Sequence, residues 1–116
     1  MKQLVWVGSS RKDLTKFPDD VIDEIGHALD QAQQRSRHSS AKTLSGFGGA
    51  GVVEVVADDD GDTYRAVYTV RHAEAVYVLH VFQKKSKQGI ATPQRDMELI
   101  RKRLRDVEAY RRGQGP

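Results

Sequence analysis

Three lysines, Lys84, Lys85 and Lys87, follow directly on the apolar run Ala75-Val76-Tyr77-Val78-Leu79-His80-Val81-Phe82. A sheet fixes side chains at their base and leaves their tips free at a strand end, so this placement suits cations that meet an anion. The surrounding charge agrees. Residues 83–116 carry 10 Lys/Arg against 4 Asp/Glu, whereas residues 1–62 carry 7 against 11. A basic end of this kind faces a polyanion or is simply a solvated helix. His80 falls in the apolar run in alternation with Val76, Val78 and Phe82. An imidazole there is either a general base titrating near neutrality or a core residue.

Other chemical patterns fail on spacing. Gly46-Phe47-Gly48-Gly49-Ala50-Gly51 is glycine-rich, but no Gly-Lys-Ser/Thr and no helix follow, so it reads as a turn entering a strand. Asp58-Asp59-Asp60-Gly61-Asp62 lacks the late acidic ligand of a calcium loop, with Val67 in that place, and reads as a hairpin turn with Asp60-Gly61 at its tip. His27 and His38 have no partner at metal-ligand spacing, and the chain has no cysteine, so no zinc site and no cofactor motif is legible. His72, in the turn beside Arg71, reads as solvent-exposed.

These residues must be positioned by few elements. A chain of 116 residues, 38% of them hydrophobic, makes one domain with one modest core. No run has signal-peptide or transmembrane character, so a cytoplasmic protein without membrane contact is expected. Gln3–Val7 reads as a strand ended by Gly8-Ser9-Ser10. Ser10 can cap a short helical turn, Arg11–Lys16. A longer helix opens at Phe17-Pro18-Asp19-Asp20, with acidic residues where the macrodipole favours them and a buried stripe Val21, Ile25, Leu29, Ala32. It fades in the polar stretch Arg35–Ser40. Val52–Ala57, Thr63–Arg71 and Ala75–Gln83 form a three-strand meander. Thr92 caps a final helix with Pro93 first, Met97, Ile100, Leu104 and Val107 inside, and Arg101, Lys102, Arg103 and Arg105 outside. Residues 1–112 thus form the domain and 113–116 a disordered tail. The order β-α-α-β-β-β-α predicts an α+β fold with helices packed on one face of a small, twisted, mainly antiparallel sheet.

The succession AKTLSGFGGAGVVEVV, DTYRAVYTV and AVYVLHVFQKKSKQGIATPQRDMELIRKRL after a helical pair resembles the RelE/ParE superfamily of type II toxins, within it the phage-derived HigB-type branch. The likeness spans about residues 4–108. Its most specific parts are Tyr64-Arg65-Ala66-Val67-Tyr68 and Phe82-Gln83-Lys84-Lys85-Ser86-Lys87.

The resemblance implies a RelE-like fold and a ribosome-dependent mRNA endoribonuclease that blocks translation, held in check by a cognate antitoxin of HigA type with a helix-turn-helix domain. It also implies Arg65 as the strand arginine that holds phosphate, and Lys84, or Lys85 one place on, as the basic residue after the last core strand. Cleavage of this type needs no metal: a 2′-hydroxyl attacks the adjacent phosphate, and pre-placed cations stabilise the extra charge of the transition state. Arg65, Lys84, Lys85 and His80 are therefore the expected catalytic residues. Lys87, Arg101, Lys102 and Arg105 are expected to hold RNA, the helix docking on ribosomal phosphate. The bland readings are a surface arginine on an edge strand and lysines that block edge pairing. Two departures leave proton transfer open. The second strand offers Glu54 among valines where several relatives carry lysines, and Gln88-Gly89-Ile90-Ala91-Thr92 stands where some carry a tyrosine. Glu54 is either a base or the ion-pair partner of Arg65 or Lys84. The alternatives at the level of function are a ParE-like inhibitor of DNA gyrase and a non-catalytic RNA-binding remnant.

Overall fold

The computed structural model describes residues 1–49, 51–84 and 92–114. In chain order the elements are β1 (Gln3–Trp6), α1 (Ser10–Leu14), α2 (Asp19–Gln33), β2 (Ala41–Thr43), β3 (Val52–Asp59), β4 (Asp62–Thr69), β5 (Ala75–Lys84) and α3 (Gln94–Gln114). The strands form one sheet in the order β1-β5-β4-β3-β2. β2 through β5 pair antiparallel, and β1 pairs parallel to β5. The α+β class and the mainly antiparallel sheet stand as expected. β2 is an addition, a three-residue edge strand on β3. α3 runs through Gly113 and Gln114. No helix among the described residues is long and apolar enough to cross a membrane.

Alternation along the strands divides the core in two. Val53, Val55, Ala57, Tyr64, Ala66, Tyr68, Val76, Val78 and Val81 pack against Leu14 of α1 and the α2 stripe Val21, Ile25, Ala28, Leu29 and Ala32. The one-face packing expected of the helices holds for the helical pair, whose apolar stripes share this face. Residues of the other parity, Val52, Val67, Tyr77, Leu79 and Phe82, pack with Ile100, Leu104 and Val107 of α3. The final helix is therefore laid on the second set of strand side chains.

Local chemistry explains the element ends. α2 closes in a Schellman turn: Ser36 N–H donates to Gln31 C=O at 2.8 Å and Arg35 N–H to Ala32 C=O at 3.0 Å, with Arg35 left-handed at φ 64°. The β3–β4 hairpin turns on two residues, Asp60 at φ 49° and Gly61 at φ 83°, between the paired Asp59 and Asp62. That is the type I′ geometry Asp-Gly favours, because its twist matches the strands. Asp58 and Asp59, read as turn residues, belong to β3. Ser10 is the first residue of α1, not its cap; its hydroxyl donates to Val78 C=O at 3.2 Å.

The strand that carries His80 has an irregularity. Val67 faces His80, but the next residue, Tyr68, faces Val78, so Leu79 is inserted as a bulge. Past a bulge the side-chain alternation shifts by one. His80 and Phe82 therefore do not share a face with Val76 and Val78, contrary to the simple alternation. They lie on the α3 side, and Val81 takes the α2 side.

Candidate active site

The bulge and the hairpin register bring the chemically able residues to one face. Glu54, Val67 and His80 stand in one cross-strand row, Val56, Arg65 and Phe82 in the next, and Thr63 and Lys84 beyond. Glu54, Arg65, His80, Phe82 and Lys84 thus all project on the α3 side. Arg65 reaches back one row, and its Nη1 donates to Glu54 Oε1 at 3.0 Å. Thr92 Oγ1 donates to Glu54 Oε2 at 3.2 Å, so both carboxylate oxygens are engaged. This hydroxyl does not cap α3, as the sequence suggested; the helix starts at Gln94, with Met97 N–H donating to Pro93 C=O.

All of these groups are withdrawn from water: Glu54 is 1%, Arg65 7% and Lys84 6% exposed. Arg65 is therefore not a surface arginine. Burial of charge is tolerated only with compensation, which the Glu54–Arg65 pair supplies. Lys84 feels both members. Its ammonium is pulled below the usual lysine range by burial and by the Arg65 charge, with Glu54 acting the other way.

His80 lies in the row of Glu54 and faces α3. Its Nε2 is 2.8 Å from Asp96 Oδ1, on the first turn of the helix. Its ring stacks on Phe82 with centroids 4.7 Å apart and planes inclined by 13°. Burial lowers its pKa and outweighs the opposing hydrogen bond and charge of Asp96. The contact is thus a hydrogen bond from a neutral Nε2–H to a carboxylate, not an ion pair, and Nδ1 is left as the acceptor nitrogen. Asp96 and Thr92 lie four residues apart, and each ties the start of α3 to a different side chain of the site. Asp96 was not identified from sequence, because only the bulge in β5 turns His80 toward it, and Thr92 was read there as a helix cap.

Of the expected catalytic residues, the structure brings Arg65, Lys84 and His80 together and adds Glu54. Lys85 and Lys87 lie outside the described residues. On α3, Arg101 sits over the Phe47 ring, 5.7 Å from its centroid. Lys102 is exposed and pairs with Asp106 at 2.9 Å, and Arg105 is exposed. Arg103 points inward: it donates to Leu79 C=O at 2.9 Å and to Ser9 Oγ at 3.2 Å, so it ties α3 to β5 and α1. His72 is not solvent-exposed as expected but buried, with its ring edge-on to Tyr77. Among the described residues, no group of three or more His, Asp or Glu converges as metal ligands would.

A carboxylate, a guanidinium and an ammonium converging on one partly dry site can hold a phosphate and move protons around it. Nothing among curated proteins matches the chain. Among solved structures, a doubly arginine-substituted mutant of the E. coli toxin RelE in its free state shares 16% sequence identity, with 91% of this chain and 97% of that chain covered at a TM-score of 0.60. That likeness establishes a RelE-like fold. The model of the phage-derived protein Gp49-like family matches residues 12–105. The chain therefore belongs to the phage-derived Gp49-like family, a RelE/HigB-type toxin family of the RelE superfamily.

Proposed function

We propose that this protein is the toxin of a type II toxin-antitoxin system and cleaves mRNA on the ribosome. The observation that carries the reading is the shared site of Glu54, Arg65 and Lys84 on one face of the sheet. An RNA phosphate entering there competes with Glu54 for the Arg65 guanidinium, which suits two phosphate oxygens at once. Each Arg65–phosphate contact formed in this way releases the Glu54 carboxylate. Glu54 then takes the proton of the 2′-hydroxyl as its oxygen forms a bond to phosphorus. The bond from phosphorus to the 5′-oxygen breaks, and that oxygen receives a proton from the Lys84 ammonium, whose lowered pKa makes it the better acid. The products are a 2′,3′-cyclic phosphate and a 5′-hydroxyl. Arg65 stabilises the charge that builds on the phosphate. His80 and Asp96 hold the start of α3, and with it Thr92, against the site.

Ribosome dependence follows from the same pair. Separating Glu54 from Arg65 costs free energy that a freely diffusing RNA recovers poorly. A message held in place by the ribosome, with α3 docked through Arg101, Lys102 and Arg105, supplies that positioning. In this reading Lys85 also acts on the phosphate and Lys87 holds RNA. The partner that holds the toxin inactive is an antitoxin of HigA type carrying a helix-turn-helix domain, and both act in the cytoplasm.

The test is expression of the chain alone, followed by mapping of transcript ends and an assay on purified ribosomes with a bound message. Cuts inside coding regions, seen with ribosomes and scarcely on naked RNA, are expected. Growth arrest with intact transcripts and DNA-damage signalling identifies a gyrase inhibitor instead, and harmless expression with RNA binding identifies a non-catalytic remnant.

A further inference from the structure

A second cationic cluster lies at the other end of β5. Arg71 and His72 follow β4, Arg111 and Arg112 end α3, and with Glu108 they line a cleft of about 170 Å³. His72 is 9% exposed, and its ring meets that of Tyr77 edge-on at 5.4 Å. Its Nε2 is fully buried and has no hydrogen-bond partner among the described residues. An orphaned buried polar atom of this kind calls for a physical explanation, and a bound group that accepts from it is one. The neighbouring acids are already engaged. Glu74 accepts from Arg111, and Glu108 lies 4.0 Å from Arg71. Arg111 also donates to the Tyr77 hydroxyl at 3.2 Å, and Arg112 is exposed.

We propose that this cleft binds a phosphate of an RNA backbone remote from the cleavage site, with Arg71 and Arg112 supplying charge and His72 Nε2–H donating to a phosphate oxygen. The site rests on the reading of the protein as an RNA-directed toxin and deepens it. From Phe82, which faces Arg65, to Tyr77 is five residues of β5, about 17 Å, so the two phosphates belong to different nucleotides. α3 spans the gap. Arg101, Arg105 and Arg112 fall within roughly 40° of one another around the helix axis, along about 16 Å of its length. Such a line of guanidinium groups matches the repeated charge of a nucleic-acid backbone better than a small anion, which would use the cleft alone. Burial and the charges of Arg111 and Arg71 keep His72 neutral, so it serves as a hydrogen-bond donor and the arginines carry the charge.

The test compares the full chain with its Arg71→Gln/Arg112→Gln variant. Both are titrated with purified ribosomes and with a short RNA duplex over a range of KCl, with circular dichroism to verify the fold. The variant is expected to bind both about tenfold more weakly, with a log–log salt slope shallower by about one to two units. Its turnover at saturating ribosomes stays at the wild-type value while the half-saturating ribosome concentration rises. The His72 ring resonances shift when RNA is added to the wild type. Wild-type affinity and salt slope in the variant, with the His72 resonances unmoved, overturn the proposal and leave the cleft to water. If the wild type cuts no message yet binds RNA through these residues, the nuclease reading fails and this site stands.

Discussion

The Arg65 guanidinium lies 3.0 Å from the Glu54 carboxylate, and the two side chains are only 9% and 2% exposed. A pair so placed is stable only while both members remain. Arg65→Ala is expected to destabilise the fold by about 3–5 kcal/mol, because it removes the guanidinium paired with a buried carboxylate and leaves Lys84 as the cation near it. Glu54→Met/Arg65→Met recovers most of that loss and is inactive. Urea denaturation of the two variants and the wild type checks this, and equal midpoints for wild type and Arg65→Ala would contradict the buried pair.

Lys84 gives a sharper test of chemistry. Lys84→Ala is expected to slow single-turnover cleavage of ribosome-bound message by about 10²–10³-fold. Lys84→Arg keeps the charge but cannot release a proton near neutral pH, so it is expected to be nearly as slow. The wild-type rate falls as pH rises through a lysine pKa below 10.5, and that limb is absent in Lys84→Arg. Near-wild-type turnover in Lys84→Arg would make Lys84 a phosphate contact and not the acid.

Acid is expected to weaken the fold through His80. Its folded-state pKa lies below the ordinary 6.5, so between the two values the unfolded chain binds more protons. The contribution is complete above about pH 6.5 and is lost as pH falls through the folded-state pKa. His72, lowered in the same direction, adds to the slope. Thermal unfolding from pH 7.5 to 5 is expected to show falling stability, with a shallower dependence in His80→Gln. An unchanged slope in that variant would remove His80 from the linkage.

The hairpin tip offers a control away from the chemistry. Gly61 sits at φ 83° in open space, with no atom beyond its own chain neighbours within 4 Å of the point where a Cβ would stand. The cost of Gly61→Ala is then backbone strain alone, about 1 kcal/mol, or roughly 4 °C in melting temperature. Cleavage by the folded variant stays unchanged. A variant as stable as wild type would contradict the type I′ turn.

Periodic features were legible from the residues. The α2 stripe from Val21 to Ala32 and the α3 stripe from Met97 to Val107 follow directly from 3.6-residue spacing, and Asp60-Gly61 marks its hairpin by backbone preference. Two kinds of feature were not. Ala41-Lys42-Thr43 is too short and too polar to declare a strand, and forms one because β3 offers it an edge. The face of His80 depends on the inserted Leu79, and no residue type at that position signals a bulge. Glu54 was legible as a partner for Arg65, but not the depth at which the two meet. That depth arises from three strands and α3 closing over them, a property of no local window.

The parallel pairing of β1 with β5 joins residues more than seventy positions apart: Gln3 with Ala75 and Trp6 with Val78. A growing chain must leave its first strand unsatisfied until β5 has been synthesised and released, since β1 sits at the sheet edge and β5 is its neighbour there. The same late strand carries Lys84 and His80. Assembly of the sheet and the gathering of the strand residues of the candidate site are thus one event, timed to the emergence of β5, and long-range closure of this kind is slow relative to local helix formation. On the proposed function, a ribosome making this protein is spared by its own product until that strand has left the exit tunnel.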